Sequence, residues 1–309
     1  MKKDNVQFGI AIPQTFPSGK TDLSLLSGFI SKAESLGYHS AWVQERAIGG
    51  GISNLDPIPL LSYVAALSSR LKLGTSVMLS DLRNPINFAK SLATLDQLSG
   101  GRLIVGLGIG GSTDVYAPFG ISPRGRARRF EEGILLMKKL WSEENVTFHG
   151  RFWQTDGASI SPRPLQTPHL PLWFGAHSPA ALRRAVRLGD GWMGAGSATT
   201  RAFKEEIKLV RLFLVEEGRD PTTFALAKRV YVAVVSDKKA ASERLQEWFG
   251  ERYGRSGMAL DVSVFGSEEE CVEGLGEVVS EGVDLLMLNP VYDELEQAER
   301  LTRDIIPKL

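Results

Sequence analysis

A short apolar run followed by a longer amphipathic one recurs eight times along this chain, and that alternation limits the folds open to it. The apolar runs fall at residues 6–12, 40–43, 71–79, 103–109, 172–174, 191–194, 225–235 and 285–288. Their lengths, and the Val, Ile and Leu in the longer ones, suit strands buried on both faces. Between them the spacing predicts helices at 23–36, 57–67, 85–98, 124–141, 179–188, 200–217, 238–253 and 268–281, with a last one at 294–305. Gly37 closes the first helix and a proline opens the second. Strict alternation implies a parallel sheet whose crossovers are the helices. Eight units of about 39 residues match a single α/β (β/α)8 barrel domain over residues 1–309, with an irregular insertion after the fourth helix at about 147–170. A doubly wound open sheet is the alternative, and it rarely needs so many units.

Charge excludes some partners. The chain carries 36 basic and 36 acidic residues, so it lacks the basic excess that nucleic acid or an anionic membrane calls for. No apolar run approaches the roughly 18 residues that cross a bilayer. Residues 1–4 are too short and polar for a secretion signal. The single cysteine, Cys271, sits in a helical run and reads as a packed thiol, which favours a reducing, cytoplasmic setting.

In such a barrel, chemistry sits at the C-terminal ends of the strands. Of four histidines (His39, His149, His169, His177) only His177 directly follows a strand, so no metal site is expected. No Gly-x-Ser-x-Gly elbow occurs, and Cys271 has no base at its address. Lys228, the best candidate for a Schiff base, is early in the seventh strand and flanked by Arg229. The strand ends instead carry glycine: Gly106-Leu107-Gly108-Ile109-Gly110-Gly111, Phe174-Gly175-Ala176-His177-Ser178-Pro179 and Gly194-Ala195-Gly196-Ser197. Small residues there let a flat or phosphorylated ligand approach the backbone, and a helix N-terminus suits a phosphate. Any one of these glycines reads equally well as a turn; three clusters at one mouth favour a phosphate-bearing cofactor.

The stretch from Leu73-Gly74-Thr75-Ser76-Val77-Met78 through Arg83-Asn84-Pro85 and Leu95-Asp96-Gln97-Leu98-Ser99-Gly100-Gly101-Arg102 carries a family resemblance. So do Phe130-Glu131-Glu132, Phe148-His149-Gly150-Arg151-Phe152-Trp153, Pro171-Leu172-Trp173-Phe174-Gly175-Ala176 and Gly189-Asp190-Gly191-Trp192. In this order they resemble the luciferase-like flavin monooxygenase and F420-dependent oxidoreductase superfamily. The resemblance implies a flavin or deazaflavin ring across the strand ends, supported by a non-proline cis peptide matching Ser76–Val77. It also implies cofactor contacts at Gly108, Gly110, Gly175, Ala176, His177, Ser178, Gly194, Ala195 and Gly196. Relatives carry Asp-His or Glu-His after the second strand; here the pair is Glu45-Arg46, the expected catalytic residues. Arg46 is a fixed cation that could stabilise negative charge but not donate a proton. The other reading of the pair is an internal ion pair. Arg124, Arg126, Arg128 and Arg129 open the fourth helix, where they face either an anion or Glu131 and Glu132. The implied activity is F420-dependent hydride transfer with a small organic substrate. The alternatives are an FMN-dependent monooxygenase and a flavin-binding protein without turnover. Residues 147–170 and the loops after the first two strands are expected to form the substrate pocket, and a homodimer is compatible with the family.

Overall fold

The computed structural model describes residues 6–16, 19–48 and 53–309. Eight parallel strands close into a barrel: β1 (Gln7–Ala11), β2 (Ser40–Val43), β3 (Lys72–Thr75), β4 (Leu103–Gly108), β5 (Leu172–Phe174), β6 (Gly191–Gly194), β7 (Ala225–Val234) and β8 (Leu285–Asn289). Gln7 to Ile10 pair with Leu285 to Leu288, which joins the last strand to the first. Helices α1 (Leu23–Ser35), α2 (Pro57–Leu67), α3 (Pro85–Ser99), α4 (Arg126–Ser142), α5 (Pro179–Leu188), α6 (Thr200–Glu216) and α7 (Lys238–Tyr253) cross over between strands. Short α8 (Met258–Val262), α9 (Glu268–Val279) and α10 (Glu294–Arg300) complete the set. Among the described residues, no helix is long and apolar enough to cross a membrane.

The period of two along each strand divides the core. Outward residues such as Ile10, Val43, Leu73, Val105 and Val230 pack under the helices. Inward, Ala11, Trp42, Ile104, Trp173, Met193, Ala227, Leu285 and Met287 fill the barrel. Trp42 dominates that interior, its ring centre 5.5 Å from that of Trp173 at a tilt of 31° and its Nε1 donating to Ser40 Oγ at 2.7 Å. Glycine makes room for it: a Cβ on Gly74 would lie 2.2 Å from the indole.

Several elements depart from the expected boundaries. The third strand does not run unbroken over 71–79; β3 stops at Thr75, and Met78–Leu79 pairs with β4 beyond a break. The stretch 147–170 is not wholly irregular, because Val146–His149 and Gln154–Ala158 form an antiparallel hairpin. That hairpin docks on α4, where the Phe152 amide donates to Glu132 (2.7 Å) and Trp153 Nε1 to the Arg129 carbonyl (3.1 Å). The fourth helix starts at Arg126, after Gly125 at φ 76°. Its final counterpart α10 ends at Arg300 and widens into one π turn at Leu301–Ile305. After α8, a strand at Ser263–Gly266 extends the sheet by pairing with Tyr231 to Val234 of β7.

The motif around Asp96 and Arg102 serves the end of the barrel opposite the strand C-termini. Buried Asp96 accepts from the Leu165 amide (2.8 Å), the Gln166 amide (3.2 Å) and Gln166 Nε2 (2.8 Å), tying the insertion to α3. Arg102 spreads over the carbonyls of Ser99, Leu71, Ser68 and Ala65 at 2.6–3.1 Å, closing the ends of α2 and α3. Replacing Asp96 by Ala removes the acceptor of all three. The Asp96→Ala variant should therefore lose about 2–3 kcal/mol of unfolding free energy in urea titration, with ligand affinity at the distant mouth unchanged.

Candidate active site

The site begins with a contact between two strands. Thr75 Oγ1 donates to the Gly106 carbonyl and accepts from the Gly106 amide, both at 2.8 Å. A Cβ on Gly106 would fall 1.7 Å from the Thr75 carbonyl oxygen, so only glycine permits this approach. The next peptide, Ser76–Val77, is cis, as the family resemblance implies. Val77 projects between Gly108 and Gly175, where added Cβ atoms would lie 2.7 and 3.0 Å from its methyl groups. Ser76 Oγ donates to Met193 Sδ at 3.1 Å. Beyond the break, the Leu79 amide donates to Glu45 Oε2 at 2.6 Å, and Arg83 Nη2 donates to Glu45 Oε1. Burial pushes the Glu45 carboxyl above its ordinary range, against the opposing pull of Arg83 and the Leu79 amide.

A cavity of about 840 Å³ opens over this floor at the strand C-termini. It is lined by Ser76, Val77, Gly108 and Gly110 on the β3–β4 side, and by Gly175, Ala176, His177 and Ser178 after β5. Ala195 and Gly196 line it after β6. At one end lie the starts of two helices. Ser178 caps α5 by accepting from the Ala181 amide at 3.4 Å, and Ala180 and Ala181 also line the cavity. Arg126, in the first turn of α4, lines the same end, and its buried Nη1 has no hydrogen-bond partner. Arg184 is held there by Glu131 at 2.6 Å. The rest of the arginine cluster is otherwise engaged: Arg128 pairs with Glu132, Arg129 donates to the Asp81 carbonyl, and Arg124 is exposed. His177 is exposed and its Nδ1 lies 2.9 Å from Glu206 Oε1.

Three expected site residues lie off the cavity wall among the described residues. Gly194 faces outward, where a Cβ would meet Phe203 at 2.5 Å and Lys228 at 3.2 Å; it makes room for α6. Glu45 and Arg46 do not pair with each other, since Glu45 is taken by Arg83 and the Leu79 amide. The insertion supplies no wall residue. The loop after β2 includes residues 49–52, and the stretch after β1 includes 17–18, which lie outside the described residues. Lys228 points away from the barrel interior to the carbonyls of Ala195 and Ala198, and burial pulls its ammonium down to about 7. It is a brace for the Ala195–Ala198 turn.

The wall residues that sequence reasoning missed are Ala127, Ala180, Ala181 and Arg184 at the helix starts, and Met193, Arg229, Tyr253, Arg255 and Met258. Strand alternation could have found Arg229, because Ala227 and Tyr231 share its inward face. Tyr253, Arg255 and Met258 belong to the α7–α8 excursion, which packs over the mouth through Tyr231, Trp248 and Phe249. Among the described residues, no group of three or more His, Cys, Asp or Glu could hold a metal ion.

The barrel and its mouth have counterparts among known proteins. Residues 6–285 match the family model for luciferase-like monooxygenases. The chain is 31% identical over 247 residues to an F420-dependent glucose-6-phosphate dehydrogenase of Kineococcus radiotolerans, covering 77% of this chain and 71% of that one. An F420-dependent secondary alcohol dehydrogenase, solved with an F420–acetone adduct, superposes with a TM-score of 0.86 at 20% identity over 98% of this chain and 99% of that one. The FMN-bound oxygenating component of 3,6-diketocamphane monooxygenase from Pseudomonas putida gives 0.79 at 18% identity, covering 98% of both. The chain is thus a (β/α)8-barrel oxidoreductase and belongs to the luciferase-like monooxygenase family.

Proposed function

We propose that the cavity binds F420 and that the protein transfers hydride between this deazaflavin and a small organic substrate. The observation that carries the reading is the shape and polarity of one continuous chamber. Val77 offers a raised apolar floor for a flat ring, while the start of α5 offers N–H groups to a phosphate and Arg126 a cation at the same end. The choice of F420 over FMN is supported by the F420-dependent dehydrogenase that shares 31% of aligned residues.

When bound, F420 supplies the hydride donor or acceptor, and the chain supplies position and a shielded mouth. Ser178 and the α5 amides would hold the phosphate-bearing tail with Arg126, while Gly108 and Gly175 keep Val77 against the ring. Gly110, Ala176, His177, Ala195 and Gly196 would form the surrounding wall. We assign Glu45 a positioning role: it grips the Leu79 amide and so fixes the segment after Val77. A cytoplasmic setting belongs to the same reading, supported by Cys271 as a buried free thiol.

Absorbance titration with F420 and, separately, FMN tests the cofactor. F420 should bind at stoichiometric levels and FMN much more weakly; the reverse order would move the protein to the FMN-dependent branch. Arg126→Gln should weaken F420 binding about 10- to 100-fold, as expected for losing a charge-assisted hydrogen bond. Glu45→Gln should leave cofactor affinity within about threefold yet slow hydride transfer, if it holds the floor rather than the tail.

A further inference from the structure

The cavity has a second cationic side, at β7 and the α7–α8 excursion, where Arg229, Tyr253 and Arg255 line its wall. Arg229 is buried inside β7 and lines the cavity. Its Nε donates to Asn289 Oδ1 at 2.9 Å and its Nη2 to the Tyr231 hydroxyl at 2.5 Å. Asn289 Oδ1 also accepts from Gln44 Nε2 at 3.4 Å, and Gln44 Oε1 accepts from Arg252 Nη2 at 3.3 Å. Arg46 repels Arg252, and its own buried Nη1 has no partner. Arg255 stands at the rim of the same wall.

Every acceptor named for these guanidinium groups is a neutral amide or hydroxyl. None of Arg46, Arg229, Arg252 and Arg255 forms an ion pair with a described residue, and Glu45, beside Arg46, is turned to Arg83. The segment 49–52 that follows is Gly-Gly-Gly-Ile and brings no carboxylate. Tyr231 stays a neutral phenol, because burial raises its hydroxyl well above the ordinary range. Burial also lowers Arg252, with repulsion from Arg229 and Arg46 adding to it. A buried cation such as Arg229, with half-buried Arg252 and Arg46 nearby and no counter-charge, is costly, and its retention beside a ligand chamber fits an anion delivered by the ligand.

We propose that Arg229 and Arg255 on the cavity wall, with Arg252 and Arg46 behind them, bind an anionic group of the substrate, a carboxylate or a phosphate. This rests on the reading of the chamber as a cofactor and substrate site. It narrows the substrate to acids or phosphate esters whose reacting carbon reaches the ring while the anion is held beside β7.

Calorimetric titration of the F420-saturated protein with malonate and with inorganic phosphate tests this, and the tighter probe tells the two anions apart. Wild-type protein should bind at least one of them. Arg252→Gln and Arg255→Gln should weaken that binding about tenfold or more, while F420 affinity changes less than about twofold. Arg252→Lys, which keeps the charge, should retain most of it and shows that the loss in Arg252→Gln is not misfolding. Absence of anion binding in the saturated wild type, or equal loss of F420 affinity in Arg252→Gln, would overturn the proposal. If F420 fails to bind at all, the same titration is run on free protein carrying Arg126→Gln. Anion binding there that is lost on adding Arg252→Gln supports the cluster and overturns only the cofactor; no binding there overturns the cluster as well.

Discussion

The contact between Thr75 and Gly106 sets the geometry on which the mouth depends. A threonine hydroxyl takes both roles, donor and acceptor, against one backbone residue of the neighbouring strand. That satisfies the polar groups of Gly106 where the strands approach too closely for any side chain, and buried backbone groups need such partners. β3 ends there, Val77 turns into the mouth, and Met78–Leu79 resumes pairing one step further along β4. Gly108 and Gly175 are then required not as flexible turns but as the space Val77 occupies.

The arginines of this barrel illustrate how one residue type is used for opposite purposes. At the closed end, Arg102 has its donors spread over four backbone carbonyls and is complete without a ligand. At the open end, Arg126 and Arg46 each leave a buried Nη1 without a partner, and Arg229 and Arg252 rest on neutral acceptors alone. A guanidinium in a rigid fork is suited to planar, bidentate recognition of carboxylate or phosphate. Taken together, the two proposals call for a ligand pair that is anionic at both extremities.

Much of the architecture was legible from the chain because both periods were clean. Alternating runs placed the eight strands within a residue or two, except where β3 breaks, since apolar residues stand on both sides of Thr75-Ser76 in 71–79 and the run reads as one strand. The insertion read as irregular because its hairpin has Asp156 and Gly157 in one arm and shallow burial, so no alternation is visible. Most wall residues were found because the barrel rule points to strand ends. Gly194 was misplaced by the same rule: its position at a strand end is correct, but its missing side chain faces α6.

The sequence by itself determined the strand and helix order, the closed parallel barrel and the glycine-lined end at which chemistry is placed, because these depend on local hydrophobic period and on a topological rule. Tertiary structure alone decided which charged groups meet. That Glu45 pairs with Arg83 rather than Arg46, that Lys228 points out and Arg229 in, and that Arg252 arrives beside Gln44 from 208 residues away all depend on strand stagger and on the α7–α8 excursion folding over the mouth. Such contacts are set by three-dimensional packing between segments far apart in the chain, and no local pattern encodes them.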